Sequence, residues 1–187
     1  HGAGLVHASS MVVTGDDRIR VYSSSFKGEH GEVFQDPSLM TESAILLHEL
    51  RLDGFCYLES QGESGSMTTR IVYWREGELQ INVKVPHGEI RVQVEDPMGE
   101  PLAGFGFDDA IPFTGDALYW MPQWKEGKSM VHLSGQVVRF SVELTKGSIY
   151  AIRGDFVQVG PYDYQKFWSA GTEPRALDSY YLDSTAE

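Results

Sequence analysis

Between Met67 and Phe156 the chain repeatedly alternates apolar and polar residues with period two, and this pattern confines it to half-buried β-strands. Leu79, Ile81, Val83 and Val85 alternate with Gln80, Asn82 and Lys84, and Ile90, Val92 and Val94 alternate with Arg91, Gln93 and Glu95. Val138, Phe140, Val142 and Leu144 alternate in the same way with Arg139, Ser141 and Glu143. Successive strand side chains point to opposite faces, so each run buries one face and wets the other. Turn chemistry punctuates the runs at Glu76-Gly77-Glu78, Pro86-His87-Gly88, Asp96-Pro97-Met98-Gly99 and Thr145-Lys146-Gly147. Strands of about six residues, with a turn signal roughly every ten, predict an antiparallel sandwich or barrel.

Upstream of this zone, strands are expected over 5–13 and 18–22, joined by a turn at Thr14-Gly15-Asp16-Asp17. The next segment reads two ways. Asp36-Pro37 suits a helix start and Gly54 a helix end, yet Ala44 to Leu47 is a continuous apolar run of strand length, and a strand over 44–50 is the reading adopted. Downstream of 156, Tyr162, Tyr164, Phe167, Trp168, Tyr180 and Tyr181 show no stable period, which predicts an irregular aromatic tail.

Composition sets limits on partners. With 187 residues the chain fits one large or two small domains. Its formal net charge of -12 opposes binding to a nucleic-acid backbone or an anionic membrane, since both require cationic faces. Cys56 is the single cysteine, so neither an internal disulfide nor a thiolate zinc cluster is available. No apolar run reaches membrane-spanning length, and no signal segment opens the chain, so its first residues read as an internal start or a processed end.

Several constellations are candidates for chemistry. His1-Gly2 matches the opening of copper-dependent polysaccharide monooxygenases, in which a first-position histidine and a second imidazole bind Cu(II); His7, His48, His87 and His132 are the available second ligands. A chain boundary accounts for the same two residues. Asp108 with Asp109, or Glu95 with Asp96, offer carboxylate pairs for hydrolysis or calcium binding, although acids beside Pro97 are expected to be solvated turn residues. Tyr119, Trp120 and Trp124, with Trp74 on an earlier strand, are the candidate carbohydrate-binding residues, because a flat ring covers the apolar face of a pyranose. Core filling is the commoner use of such tryptophans. Gly62-Glu63-Ser64-Gly65 lacks the spacing of a nucleophile elbow, and Gly104-Phe105-Gly106 lacks the context of a phosphate loop.

An ordered set of segments carries a family resemblance. Leu50-Arg51-Leu52-Asp53-Gly54-Phe55, Gly65-Ser66-Met67-Thr68-Thr69 and Gly77-Glu78-Leu79-Gln80-Ile81-Asn82-Val83 are followed by Ile90-Arg91-Val92 and Gly99-Glu100-Pro101-Leu102-Ala103-Gly104-Phe105. Gly115-Asp116, Trp124, Leu133-Ser134-Gly135-Gln136-Val137-Val138-Arg139-Phe140 and Ile149-Tyr150 complete it. The set resembles the carboxy-terminal β-sandwich of bacterial five-bladed propeller proteins of the β-fructosidase and arabinanase type of glycosidase. Gly4-Leu5-Val6-His7-Ala8-Ser9 and Asp17-Arg18-Ile19-Arg20-Val21-Tyr22 resemble the last propeller blade, with a departure at Ser23-Ser24-Ser25 where Tyr-Tyr-Gly is usual.

The resulting expectation is an all-β chain: blade-like strands over 1–51, an antiparallel jelly-roll-like β-sandwich over 52–156, and an irregular tail over 157–187. The resemblance implies an accessory, non-catalytic role in a carbohydrate-active propeller protein, stabilising the propeller and binding glycan, with catalytic acids in blades that precede His1. It also implies an extracytoplasmic setting, a propeller domain as partner and a polysaccharide or oligosaccharide as ligand, with no nucleic acid and no membrane. No catalytic residue, metal or cofactor is assigned to this chain. An independent carbohydrate-binding module and a copper monooxygenase acting through His1 are the alternatives.

Overall fold

A computed structural model describes residues 6–29, 31–41, 43–62 and 64–160. His1 and the aromatic residues from Tyr162 onward lie outside the described residues, and with them the expected copper ligand and nearly all of the expected tail. The chain divides into two compact units, His1–Cys56 and Tyr57–Glu187, a boundary five residues beyond the one expected.

The first unit is a three-stranded antiparallel meander in the order β1 (Val6–Thr14), β2 (Arg18–Phe26), β3 (Ser43–Arg51). The turn at 14–17 closes as its residues dictate, with the Asp17 N–H donating to the Thr14 carbonyl at 3.1 Å and Asp17 at φ 57. Arg20 ties the sheet together, bonding Asp16 and Glu49 at 2.8 Å each. The ambiguous segment resolves as strand: Ile45 faces Ser24 and Leu50 faces Ile19. One α-helical turn (Glu32–Gln35) and one 3-10 turn (Pro37–Thr41) link β2 to β3.

The second unit is a six-stranded, nearly closed antiparallel sheet built from β4 (Leu58–Ser60), β5 (Gly65–Thr68), β6 (Val72–Glu95), β7 (Phe113–Trp120), β8 (Gln136–Thr145) and β9 (Gly147–Gln158). The order is β4-β9-β6-β8-β5, with β7 added on β6. Glu89 faces Thr145 and Glu95 faces Arg139, so β6 and β8 run in opposite directions. β6 is the organising strand. Its first residues lie between β8 and β9, Gln80 to Lys84 pair with β9, Ile81 to Val85 pair with β7, and Glu89 to Glu95 pair with β8.

Two expected turns therefore lie inside β6. Around Gly77 the strand bulges, with Glu76 opposite Asp155 but Gln80 opposite Arg153. At Pro86-His87-Gly88 it changes neighbours from β9 to β8 without ending. Pro86 donates nothing to a ladder, and Gly88 admits a close approach that no other residue tolerates: a Cβ there would stand 1.8 Å from the Thr145 carbonyl oxygen. The alternating residues form one core of Trp74, Leu79, Ile81, Val83, Val85, Ile90, Val92, Val94, Val138, Phe140, Val142 and Leu144. Trp74 packs edge-on to Phe140 and stacks on Phe156.

β8 covers only one side of the Glu89 to Glu95 stretch. The opposite side is closed by the 101–124 segment, where the Val94 N–H donates to the Phe105 carbonyl, the Leu102 N–H to the Val94 carbonyl, and the Trp124 indole Nε1–H to the Val92 carbonyl at 3.0 Å. Each of these bonds occupies a backbone group that an open sheet edge would leave bare.

Candidate functional site

The structure separates the three aromatic residues singled out from the sequence. Trp124 is 0 % exposed, packs on Phe105 and spends its only side-chain donor on Val92, so the expected three-ring platform is corrected: Trp124 is a core residue that no ligand reaches. Trp120 faces inward, opposite Ile81, and stacks on Phe113 with ring centroids 5.1 Å apart. Tyr119 is 44 % exposed and carries the Arg153 guanidinium 5.2 Å from its ring centroid. Neighbouring strand residues point to opposite faces, so Tyr119 and Trp120 do not share a platform.

Of the acidic pairs, Glu95 with Asp96 has structural employment. Glu95, expected to be solvated, is buried and accepts hydrogen bonds from Arg139 Nε at 2.7 Å and Gln93 Nε2 at 2.9 Å. Burial pushes its carboxyl up, but hydrogen bonds from Ser141, Gln93 and Arg139 and the Arg139 charge outweigh that and hold the pKa below the usual glutamate range. Asp96 is a turn acid as expected: its Oδ1 accepts from the N–H groups of Met98, Gly99 and Glu100 at 2.8 to 2.9 Å. The Glu100 N–H does most to lower its pKa; burial opposes it, and the Gly99 and Met98 N–H groups and the Arg139 charge lower it further. Beside Asp108 and Asp109, Lys125 Nζ donates to the Asp108 carbonyl. Among the described residues no group of three or more His, Cys, Asp or Glu side chains is arranged to hold a metal. His48 Nε2 is hydrogen-bonded to Ser23 Oγ at 2.8 Å, and His132 Nδ1 receives the Ser129 N–H.

A different set of residues forms a concave site. An open cleft of about 510 Å3 lies where β4, the β6 corner and the β8–β9 turn meet, a volume within the range of ligand sites. Its aromatic side is Tyr57, 54 % exposed, against Tyr150, with ring centroids 5.5 Å apart and planes at 47°. Glu59, Gln61, Lys84, His87 and Lys146 supply polar groups to the same cleft. Gln61 Nε2 donates to Glu59 Oε2 at 2.7 Å, which orients that carboxylate.

The cleft is rigid because its walls are pressed together where only glycine fits. Gly88 seats the β6 corner on Thr145, and the Thr114 hydroxyl donates to the Gly88 carbonyl at 2.7 Å. Gly147 seats the turn on β6, since a Cβ there would lie 2.8 Å from both the Lys84 oxygen and the Val85 Cβ. Lys146, between them, takes φ 49, a left-handed conformation that costs a non-glycine residue about 1 kcal/mol. Lys84 aligns with Ser148, which in turn aligns with Glu59, so the cleft floor follows the ladder itself. A sequence signal for this site exists only in fragments: Lys84 is a polar member of an alternating run, and Tyr150 lies near the start of β9. Nothing local joins them to Tyr57.

A second, narrower groove of about 210 Å3 opens between β4 and β5 over Leu58, Met67, Val142, Leu144 and Ile149. It is mostly apolar and marks the seam of the nearly closed sheet. No family model, curated protein or solved structure matches this chain, so the tyrosine cleft stands on its own geometry.

Proposed function

We propose that this chain is an accessory, non-catalytic β module that binds a saccharide in the Tyr57–Tyr150 cleft and works beside a carbohydrate-active propeller domain. The observation that carries the reading is the tyrosine pair, Tyr57 exposed and Tyr150 half-buried, in a glycine-seated cleft rimmed by amide, carboxylate, imidazole and ammonium groups. A pyranose presents an apolar face to such rings and hydroxyl groups to such a rim. Rings already held by a glycine-seated framework lose little entropy on binding. On this reading the second unit is a jelly-roll-like sandwich. The first unit supplies blade strands, and its exposed Ile45 (83 %) and Leu47 (51 %) are covered by neighbouring blade strands in the whole protein.

Calorimetric titration against a panel of oligosaccharides from plant and bacterial polysaccharides tests the proposal. Tyr150→Ala is expected to weaken binding about tenfold or more, as loss of a central aromatic contact does. Binding unaffected by both Tyr150→Ala and Tyr57→Ala, or no binding by any oligosaccharide in the panel, refutes it.

A further inference from the structure

We infer that the cleft selects acidic saccharides, those carrying uronate or sulfate groups, through Lys84 and Lys146. The inference rests on the saccharide-binding reading and adds the ligand's charge to it. Lys84, His87 and Lys146 are all exposed and line the same cleft as the tyrosines. Among the described residues neither lysine lies within ion-pair distance of a carboxylate. Both ammonium groups thus keep their donors for a ligand.

Two acids bear on them. Glu59 lines the same cleft, two strands from Lys84, with its carboxylate held by Gln61, and Asp116 faces Lys84 from β7 outside the lining. The lining thus carries two ammonium groups against one carboxylate, in a chain whose formal net charge is -12. Screening decides which of these counts. The Debye length is about 8 Å at physiological ionic strength, so acids remote from the cleft are largely damped, while the lining charges, and Asp116 beside Lys84, act within that range. A pyranose on Tyr57 and Tyr150 then carries its acidic substituent among the lysines of the same lining.

The test compares tetragalacturonate, a sulfated galactan tetrasaccharide and neutral galactotetraose by calorimetry, on the full chain and on Lys84→Gln/Lys146→Gln. One or both acidic probes should bind at least about fivefold tighter than the neutral one, with that advantage falling as salt is raised and lost in the double variant, to which acidic and neutral probes bind alike. The probe that prefers the site tells carboxylate from sulfate. Equal binding of acidic and neutral probes, or an acidic preference that survives the double substitution, overturns the charge selection and leaves saccharide binding standing. Absence of binding by all three probes, and by the wider panel, overturns both. Both lysines are exposed, so an unchanged circular dichroism spectrum and melting temperature are expected of the variant and confirm its fold.

Discussion

Replacing Trp124 tests the architecture around the free side of β6. Trp124→Ala removes a fully buried indole, a change that costs about 3–5 kcal/mol in a packed core. It also orphans the Val92 carbonyl, worth about 1–3 kcal/mol when no water replaces the donor. The vacated space is large enough to admit a water at that carbonyl, so the two costs overlap, and a net loss of about 5 kcal/mol is expected. Trp124→Phe keeps the contact with Phe105 but not the donor, for a loss of about 2 kcal/mol. Urea unfolding, followed through the amide signals of Val92, Val94 and Phe105, reports on the second unit alone. With a slope of about 2 kcal/mol per molar urea, the midpoints should fall by about 2.5 M and 1 M respectively. Midpoints within about 0.3 M of the parent for both variants would refute the assignment of Trp124 to the core.

Other expectations follow from the same geometry. Glu95 has a folded pKa below its unfolded value, so its stabilising contribution is fully present above the ordinary glutamate value of about 4.3 and is lost as pH falls through the lowered folded value. Glu95→Gln should flatten the acid limb of a stability-against-pH curve, and an unaltered limb would contradict the Arg139 pairing. Gly88→Ala puts a methyl group against the Thr145 oxygen and should cost about 2 kcal/mol or more in chemical denaturation, whereas Gly62→Ala, with open space around it, should be close to neutral. Equal effects of the two substitutions would remove the argument that the cleft walls are locked.

The fold was legible wherever one face of a strand is buried and the other wet. The runs at 79–85, 90–95 and 138–144 appear in β6 and β8, and the turns at 14–17 and 145–147 close as their residues require. Pro86-His87-Gly88 carries the residues of a turn, yet the strand continues through it, because the same proline and glycine also suit a sheet corner seated on Thr145. That choice depends on a neighbour 57 residues away. Glu95 reads as a solvated acid for the same reason: its partner Arg139 is 44 residues distant. Aromatic character does not by itself tell a platform from a core, so Tyr119, Trp120 and Trp124 looked alike in the sequence and diverge in the structure. The tyrosine cleft was hidden because the segment around β4, the β6 corner, and the β8–β9 turn with the start of β9 each contribute only three or four of its residues, and only the sheet order brings them together.

The central claim is that the Tyr57–Tyr150 cleft is where this chain meets saccharide. Amide chemical-shift mapping of the full chain, titrated with the tightest-binding oligosaccharide of the panel, addresses it directly. Perturbations should concentrate on Tyr57, Gln61, Lys84, His87, Lys146 and Tyr150, with Tyr119, Trp120 and Trp124 unmoved. A map centred on Tyr119 and Trp120, or on the β4–β5 seam, would contradict the account.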